Sequence, residues 1–353
     1  MQIKNDLSKT LRIQYPVIQA PMFGVSTLEM AAAANNAGCL GSLALADLPA
    51  DKSLEQIQKT KKLTDRDFAV NIFVHQLPEI TEKLKRDFYV TKNFLEDLAF
   101  QNDIHVSLPD FSDIKLNSYH EQIDAVIAEK CRILSFTFGN LDSESIRKLK
   151  SNDVLLIGTC TCVKEALELE HSGIDIICVQ GWEAGGHRGS FASENIPQIG
   201  GFSLLAQVFE SVKVPLIYAG GIYNVRTLRA AKDLGAQGFQ IGSMLLASKE
   251  SALRNFEKQR LMHVKENEIV MTESFSGRFA RGIKNKFTET FADSAFILPY
   301  PYMNKLTGAL RTAAREAEND EFVNLWLGQS VQNYIKDSTE DILKNFIKKC
   351  ELL

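Results

Sequence analysis

Short apolar runs alternate with amphipathic stretches from residue 17 to residue 246. The runs fall at 17–22, 40–45, 68–74, 133–138, 154–159, 175–180, 215–219 and 238–241. They are rich in Val, Ile and Leu and have little period-two polarity, the pattern of parallel strands covered on both faces. The stretches between them carry helix signals. Ser26-Thr27 offers an N-cap before the Ala-rich segment Leu28–Ala37, which Gly38 closes. Further helices are expected near Ser53–Lys62, Ser118–Glu129, Ser143–Lys150, Cys162–His171, Ser203–Ser211 and Asn224–Leu234. Eight strands alternating with helices predict an α/β fold of the (β/α)8 TIM-barrel kind. A doubly wound sheet is the competing architecture, but no G-x-G-x-x-G follows the first strand.

Two segments interrupt this rhythm. From Pro78 to Asp113 the chain is charged and aromatic, too long for an ordinary connection, with a helix expected near Glu79–Leu98. Beyond about residue 247 it is charged and mostly helical, with breaks at Phe275–Phe287 and Ile297–Tyr302. The expected organisation is a barrel of 1–75 and 116–246, a smaller, mostly helical substrate or cap domain of 76–115 and 247–320, and C-terminal helices, 321–353, packing on the barrel.

The 353 residues are 45% hydrophobic with a formal net charge of −4, enough to bury a large core. No basic cluster provides a nucleic-acid footprint. The start, Met1-Gln-Ile-Lys-Asn-Asp-Leu7, has no signal-peptide h-region, and no apolar stretch approaches membrane-spanning length. A soluble, cytoplasmic protein is expected, with no nucleic-acid or membrane partner. Oligomeric state is left open. Cysteines 39, 131, 160, 162, 178 and 350 are scattered within apolar segments, and no Cys or His cluster has metal-ligand spacing. They read as buried or incidental thiols, Cys39 as core rather than nucleophile, and no metal site is expected.

In a barrel, chemistry gathers at the C-terminal ends of strands. There the chain places Ala20-Pro21-Met22, Asn71, Gln180 with the loop to His187, Ala219-Gly220-Gly221, and Gln240 with Gly242-Ser243. Glycines after strands seven and eight, with Ser243 at a turn, suit a nest of N–H groups around a phosphate, although packing also uses such glycines. Asn71, Gln180 and Gln240 are neutral amides around one mouth, suited to the donor and acceptor edge of a flavin ring. Asn71 could equally be satisfied by backbone. His187, after Gly185-Gly186, stands where a general base would face a substrate. Arg188 either orients an anion or makes a surface ion pair, and Glu183 is a supporting hydrogen-bond partner rather than the base. No G-x-S-x-G elbow supports a serine hydrolase.

The segments Gln19-Ala-Pro-Met22, Gln180-Gly-Trp-Glu-Ala-Gly-Gly-His-Arg-Gly189, Ala219-Gly-Gly-Ile222, Gln240-Ile-Gly-Ser243 and Thr272–Asn285 resemble the class I nitronate monooxygenases, formerly 2-nitropropane dioxygenases. The likeness covers nearly the whole chain. It implies an FMN-dependent TIM-barrel enzyme that oxidises nitronates or nitroalkanes, such as propionate 3-nitronate, with O2 to a carbonyl compound and nitrite. It further implies that Asn71, Gln180, Gly185, Gly220, Gln240, Ile241, Gly242 and Ser243 contact FMN, that Met22 lies near the isoalloxazine, and that His187 is the catalytic base. Ser243 departs from the family's usual Thr but keeps the hydroxyl. Tyr300 and Tyr302 are candidates for the substrate pocket. Two other functions compete: an FMN-dependent enoyl-thioester reductase of the same superfamily, and a non-catalytic flavin-binding barrel.

Overall fold

A computed structural model describes residues 5–193, 195–292, 294–331 and 334–352. In chain order its strands are β1 (Val17–Gln19), β2 (Ser42–Ala46), β3 (Ala69–Phe73), β4 (Ile133–Thr137), β5 (Leu155–Cys160), β6 (Ile176–Gln180), β7 (Gly186–His187), β8 (Leu216–Ala219), β9 (Gly238–Ile241), β10 (Ile269–Thr272) and β11 (Ala280–Ile283). Eight of them form one parallel sheet in the order β1-β9-β8-β6-β5-β4-β3-β2. A bridge between Ile18 and Leu40 joins its two ends, with Leu40 N–H donating to Val17 O at 2.9 Å. The chain is a (β/α)8 TIM barrel, and each predicted run supplies one barrel strand.

Pleating sorts the side chains of each strand into two layers. Ile18, Ala69, Ile133, Ile157, Ile176, Cys178 and Ile217 fill the barrel interior, where Leu7 and Leu11, on and just after the helix Asp6–Thr10, join them. Val70, Ile72, Leu134, Phe136, Leu156, Ile177, Val179 and Phe239 alternate with these and pack outward among the helices. At the next inward position along their strands come Asn71, Thr159, Gln180 and Gln240, the start of a polar mouth.

Most helices begin near where the sequence suggests, but the one expected to open at Ser53 starts at Ala50, after Pro49, with Ser53 buried inside its first turns. Thr27 Oγ1 accepts the Met30 N–H at 3.0 Å and opens Leu28–Asn36, and Ser118 caps Tyr119–Ala128. A second apolar cluster joins Leu84, Phe88, Leu95 and Leu98 of the helix Glu82–Phe100 to Phe275, Phe287, Tyr302, Leu306 and Leu310 of the tail. The helix Thr339–Glu351 instead places Ile342, Leu343, Phe346 and Ile347 against the outer layer of the barrel. One tail element was not visible in the pattern. Within the expected break at 275–287, β11 pairs antiparallel with both β10 and β7, in the order β10-β11-β7. Its hairpin partner β10 is close in sequence, but its pairing with β7 joins Ala280 to His187 some ninety residues away, which neither spacing nor propensity announces.

Among the described residues no helix is long and apolar enough to cross a membrane. All six cysteines are free, five of them buried. Cys39 is 1% exposed in the core, where burial pushes its thiol up to about 12 and keeps it protonated.

Candidate active site

A cavity of about 570 Å³ opens at the C-terminal ends of the barrel strands. Met22, Asn71, Gln180, Gly185, His187, Gly220, Gln240, Gly242 and Ser243 all line it. Ile241 does not. Period-two alternation turns its side chain outward between Gln240 and Gly242, into the layer under the helices, and it is 1% exposed. The expected contact of Ile241 with the cofactor is therefore corrected for its side chain, and its carbonyl is used in the sheet, accepting the Ala20 N–H at 2.9 Å.

The three amides are in different states. Gln180 is engaged at both ends: Nε2 donates to His187 O at 2.9 Å and Oε1 accepts the Gly189 N–H at 2.9 Å. It ties the glycine loop to the end of β6. Asn71 Nδ2 donates to Ser135 Oγ on the neighbouring strand at 2.9 Å, leaving its carbonyl open to the cavity. Gln240 has no hydrogen-bond partner for its amide among the described residues, and it lines the same cavity. An uncommitted carboxamide and a free amide carbonyl are what the edge of a heteroaromatic ring needs.

On the far side, Gly220 and Gly221 take φ of +126° and +67°, conformations that side chains resist. The N–H groups of Gly220, Gly221 and Ile222 donate to no described residue. Opposite them Ser243 begins a 3-10 turn, Ser243–Leu245. Its Oγ accepts the Gly328 N–H at 2.9 Å, so its proton remains available to an anion. A Cβ on Gly242 would come within 3.3 Å of Ala20 Cβ and 3.4 Å of Met22 Sδ. These positions form a cradle of unpaired donors without side-chain bulk, matching a phosphate.

His187 sits on β7, held in the ribbon by pairing with Ala280. Its Nε2 lies 2.8 Å from Ser276 Oγ, and its ring packs edge-on against Phe138 at 5.6 Å and Trp326 at 5.5 Å. Burial, then the charges of Arg278 and Arg311, push the imidazole down to about 3, so it is neutral and unprotonated at neutral pH. Phe138, at the end of β4, has φ +77°, strain carried by a bulky residue at the mouth. Arg278 stacks on its ring at 4.2 Å.

The other polar residues of the β6 loop are structural. Arg188 is 1% exposed and donates to the carbonyls of Gly181 at 2.7 Å and Gln180 at 3.0 Å, so it neither reaches the surface nor orients a ligand. Glu183 accepts the Gly201 N–H with both oxygens at 2.9 Å and caps the helix Gly201–Ser211, the supporting role expected of it. Buried Glu165 accepts from Thr161 N at 2.6 Å, Thr161 Oγ1 at 2.8 Å, Phe191 N at 2.6 Å and Ala192 N at 3.1 Å, fixing the far end of the loop. Glu165→Ala would strand those donors in the interior. It is expected to destabilise the fold by about 3 kcal/mol, read as a lower urea midpoint, with Glu165→Gln recovering part of the loss.

Tyr300 lines the cavity, whereas Tyr302 is buried in the tail core, stacked on Phe111 at 5.3 Å. Sequence reasoning missed Asn304, Arg311, Asn324, Trp326, Leu327 and Gly328, which close the mouth from the tail. Nothing in the sequence marks them: Asn304 and Arg311 stand on the helix Tyr302–Glu316, and residues 324–328 reach the mouth as largely irregular chain.

The family model for nitronate monooxygenase matches residues 4–349. A protein of Staphylococcus haemolyticus named as a probable nitronate monooxygenase is 36% identical over 358 residues, covering 100% of this chain and 99% of its own. A Staphylococcus aureus protein of the same description is 34% identical over 98% of this chain and 97% of its own. Among solved structures, the nitroalkane oxidase of Streptomyces ansochromogenes superposes with a TM-score of 0.88 at 31% identity, covering 99% and 98% of the two chains. FabK of Thermotoga maritima, at 0.76 and 23%, covers 99% and 97% and shares the fold.

Proposed function

The chain belongs to the nitronate monooxygenase family, a family of flavoprotein oxidoreductases acting on small molecules, and from that premise we propose that it is an FMN-dependent nitronate monooxygenase. Its substrates are alkyl nitronates such as propionate 3-nitronate, oxidised with O2 to a carbonyl compound and nitrite. The observation that carries this reading is one cavity holding three things together: a glycine cradle with unpaired N–H groups, uncommitted amides, and an unprotonated imidazole. The phosphate of FMN would be held by the backbone of Gly220–Ile222 and by Ser243, and its ring edge by Gln240 and the Asn71 carbonyl, with Met22 alongside. When bound, the flavin supplies the redox chemistry between substrate and oxygen.

This chain's own residues do the rest. His187 accepts the α-proton of a neutral nitroalkane at its free ring nitrogen, or contacts the nitronate when the anion arrives preformed. Ser276 and Gln180 keep that ring in place, one through Nε2 and the other through the backbone of the loop. Because Arg278 and Arg311 oppose a positive imidazole, the site favours the preformed anion.

The test is oxygen uptake by purified, flavin-loaded protein given propionate 3-nitronate without NAD(P)H, with nitrite assayed in the same vessel. Uptake with nitrite is expected. A silent trace would move the reading to the enoyl-thioester reductase, followed as NAD(P)H oxidation with an enoyl thioester, and silence there as well would leave a non-catalytic flavin barrel.

A further inference from the structure

We propose that Tyr300 and His75 form a proton exit from the cavity to solvent, through which His187 discharges the proton it takes from a neutral nitroalkane. The inference rests on the functional reading above and supplies the step by which the base is reset.

His187 is enclosed. Its Nε2 meets Ser276, Phe138 and Trp326 pack on its ring, and the charges of Arg278 and Arg311 oppose a cation there. A base that holds its proton so weakly must pass it on before the next substrate arrives. The Phe138 ring lies 5.6 Å from that of His187 and 5.7 Å from that of Tyr300, so the two polar rings flank it at the mouth. Tyr300 in turn meets the His75 ring edge-on at 4.7 Å.

Pleating brings His75 to this place. Asn71 and Phe73 of β3 face the cavity, and Val74 prolongs the pairing by donating to Thr137 O at 2.9 Å. His75 is the next residue on the inner side. Both of its ring nitrogens are buried without a hydrogen-bond partner among the described residues, and so is the Tyr300 hydroxyl. Leaving such atoms unmet costs about 1–3 kcal/mol each. Three of them on two touching rings mark a place for water. The nearby carboxylate does not satisfy them, since Asp47 pairs with Lys305 at 2.7 Å. One end of this polar seam is the cavity, which Tyr300 and Asp47 line. The other end is solvent: His75 as a whole is half-buried, and Gln76 and Leu77 after it are exposed.

The charge states suit a relay. Burial holds the His75 imidazole below its ordinary value, with Asp47 opposing that shift and Arg278 and Lys305 adding to it. A neutral imidazole takes a proton at one nitrogen and releases one from the other, so it passes protons without storing them. Burial raises the Tyr300 pKa, so its hydroxyl stays protonated and accepts at oxygen as it donates onward. The proton thus goes from the α-carbon to His187, through cavity water to Tyr300, then through His75 to bulk solvent. No electron moves along this path.

His75→Phe keeps the ring contact with Tyr300 and removes both nitrogens. It is expected to lower kcat for a neutral nitroalkane about tenfold and to change kcat for the preformed nitronate, which delivers no proton to His187, by less than about threefold. His75→Gln can hold the same water but does not exchange a proton between its two ends, so it should stay slow. Free imidazole should restore nitroalkane turnover in both variants with rising concentration and leave the wild type unchanged. Repair by Gln without any response to imidazole would reveal a structural role and overturn the exit, as would equal losses on both substrates or no loss. A high-resolution crystal structure gives a readout independent of turnover: ordered water is expected within about 3.2 Å of the His75 ring nitrogens and the Tyr300 hydroxyl. Wild-type protein inert toward both substrates would overturn the functional reading and the exit with it, whereas a dry His75 in an active enzyme would overturn the exit alone.

Discussion

His187→Asn is expected to lower turnover of a neutral nitroalkane by about 10³-fold or more, and of the corresponding nitronate by no more than about tenfold. The asymmetry follows from the charges around the ring. On the proposed reading a neutral nitroalkane must surrender its α-proton inside the cavity that His187 lines, and His187 would take it. The nitronate has already lost that proton, so it needs only contact and orientation. Equal losses on both substrates would sink the base assignment. The pH dependence supplies a second check. An imidazole held down to about 3 gives no acid limb between pH 5 and 8 in kcat/KM for the nitronate. Any limb seen there belongs to the substrate or to another group. Stability follows the same shift. Folding lowers the His187 pKa from 6.5, so the folded state resists protonation. Its contribution to stability is fully present above about pH 6.5 and is lost as pH falls toward 3. His187→Asn should flatten the acid side of the stability curve over that window.

The barrel was legible because each strand is a short, mainly apolar run and several helices, such as Leu28–Asn36, Tyr119–Ala128, Ser143–Lys150 and Val225–Asp233, carry their own caps, signals written within a dozen residues. The site was legible where it is built from strand ends. Asn71, Gln180 and Gln240 are polar residues at inward positions of apolar strands, and Gly220 and Gly221 end another. Ile241 shows the limit of reading a motif as a block: Gln240 and Gly242 face the mouth, and the pleat sends the residue between them away from it. Gln180 shows another. Its position was visible but its hydrogen bonds were not, and they tie it to the loop. Arg311 and the 324–328 segment were invisible because they reach the site by tertiary packing alone. Their sequence neighbours are ordinary helix and irregular chain.

Gly185→Ala is expected to yield folded protein that loses its flavin on purification. The glycine is required by the tail rather than by backbone conformation. A Cβ there would lie 2.4 Å from the Leu327 carbonyl carbon and 2.5 Å from Gly328 N. Backbone cannot yield as a flexible side chain would, so Leu327–Gly328 must move off the mouth. That segment carries the Gly328 N–H bond to Ser243 Oγ and the Gln329 N–H bond to Glu183 O at 3.0 Å. Both bonds anchor the chain beside the phosphate cradle, and Trp326, one residue earlier, packs on His187. The clash is confined to the mouth, so the barrel core should survive, with a stability loss of about 1–3 kcal/mol. Gly186→Ala is the discriminating companion. It has φ +71° but meets nothing closer than Trp326 Cβ at 4.0 Å, so it costs backbone strain without displacing the tail. Flavin content after gel filtration should fall at least tenfold in Gly185→Ala and much less in Gly186→Ala. Full retention in Gly185→Ala would mean that the tail segment closes the substrate side of the cavity and takes no part in holding the cofactor.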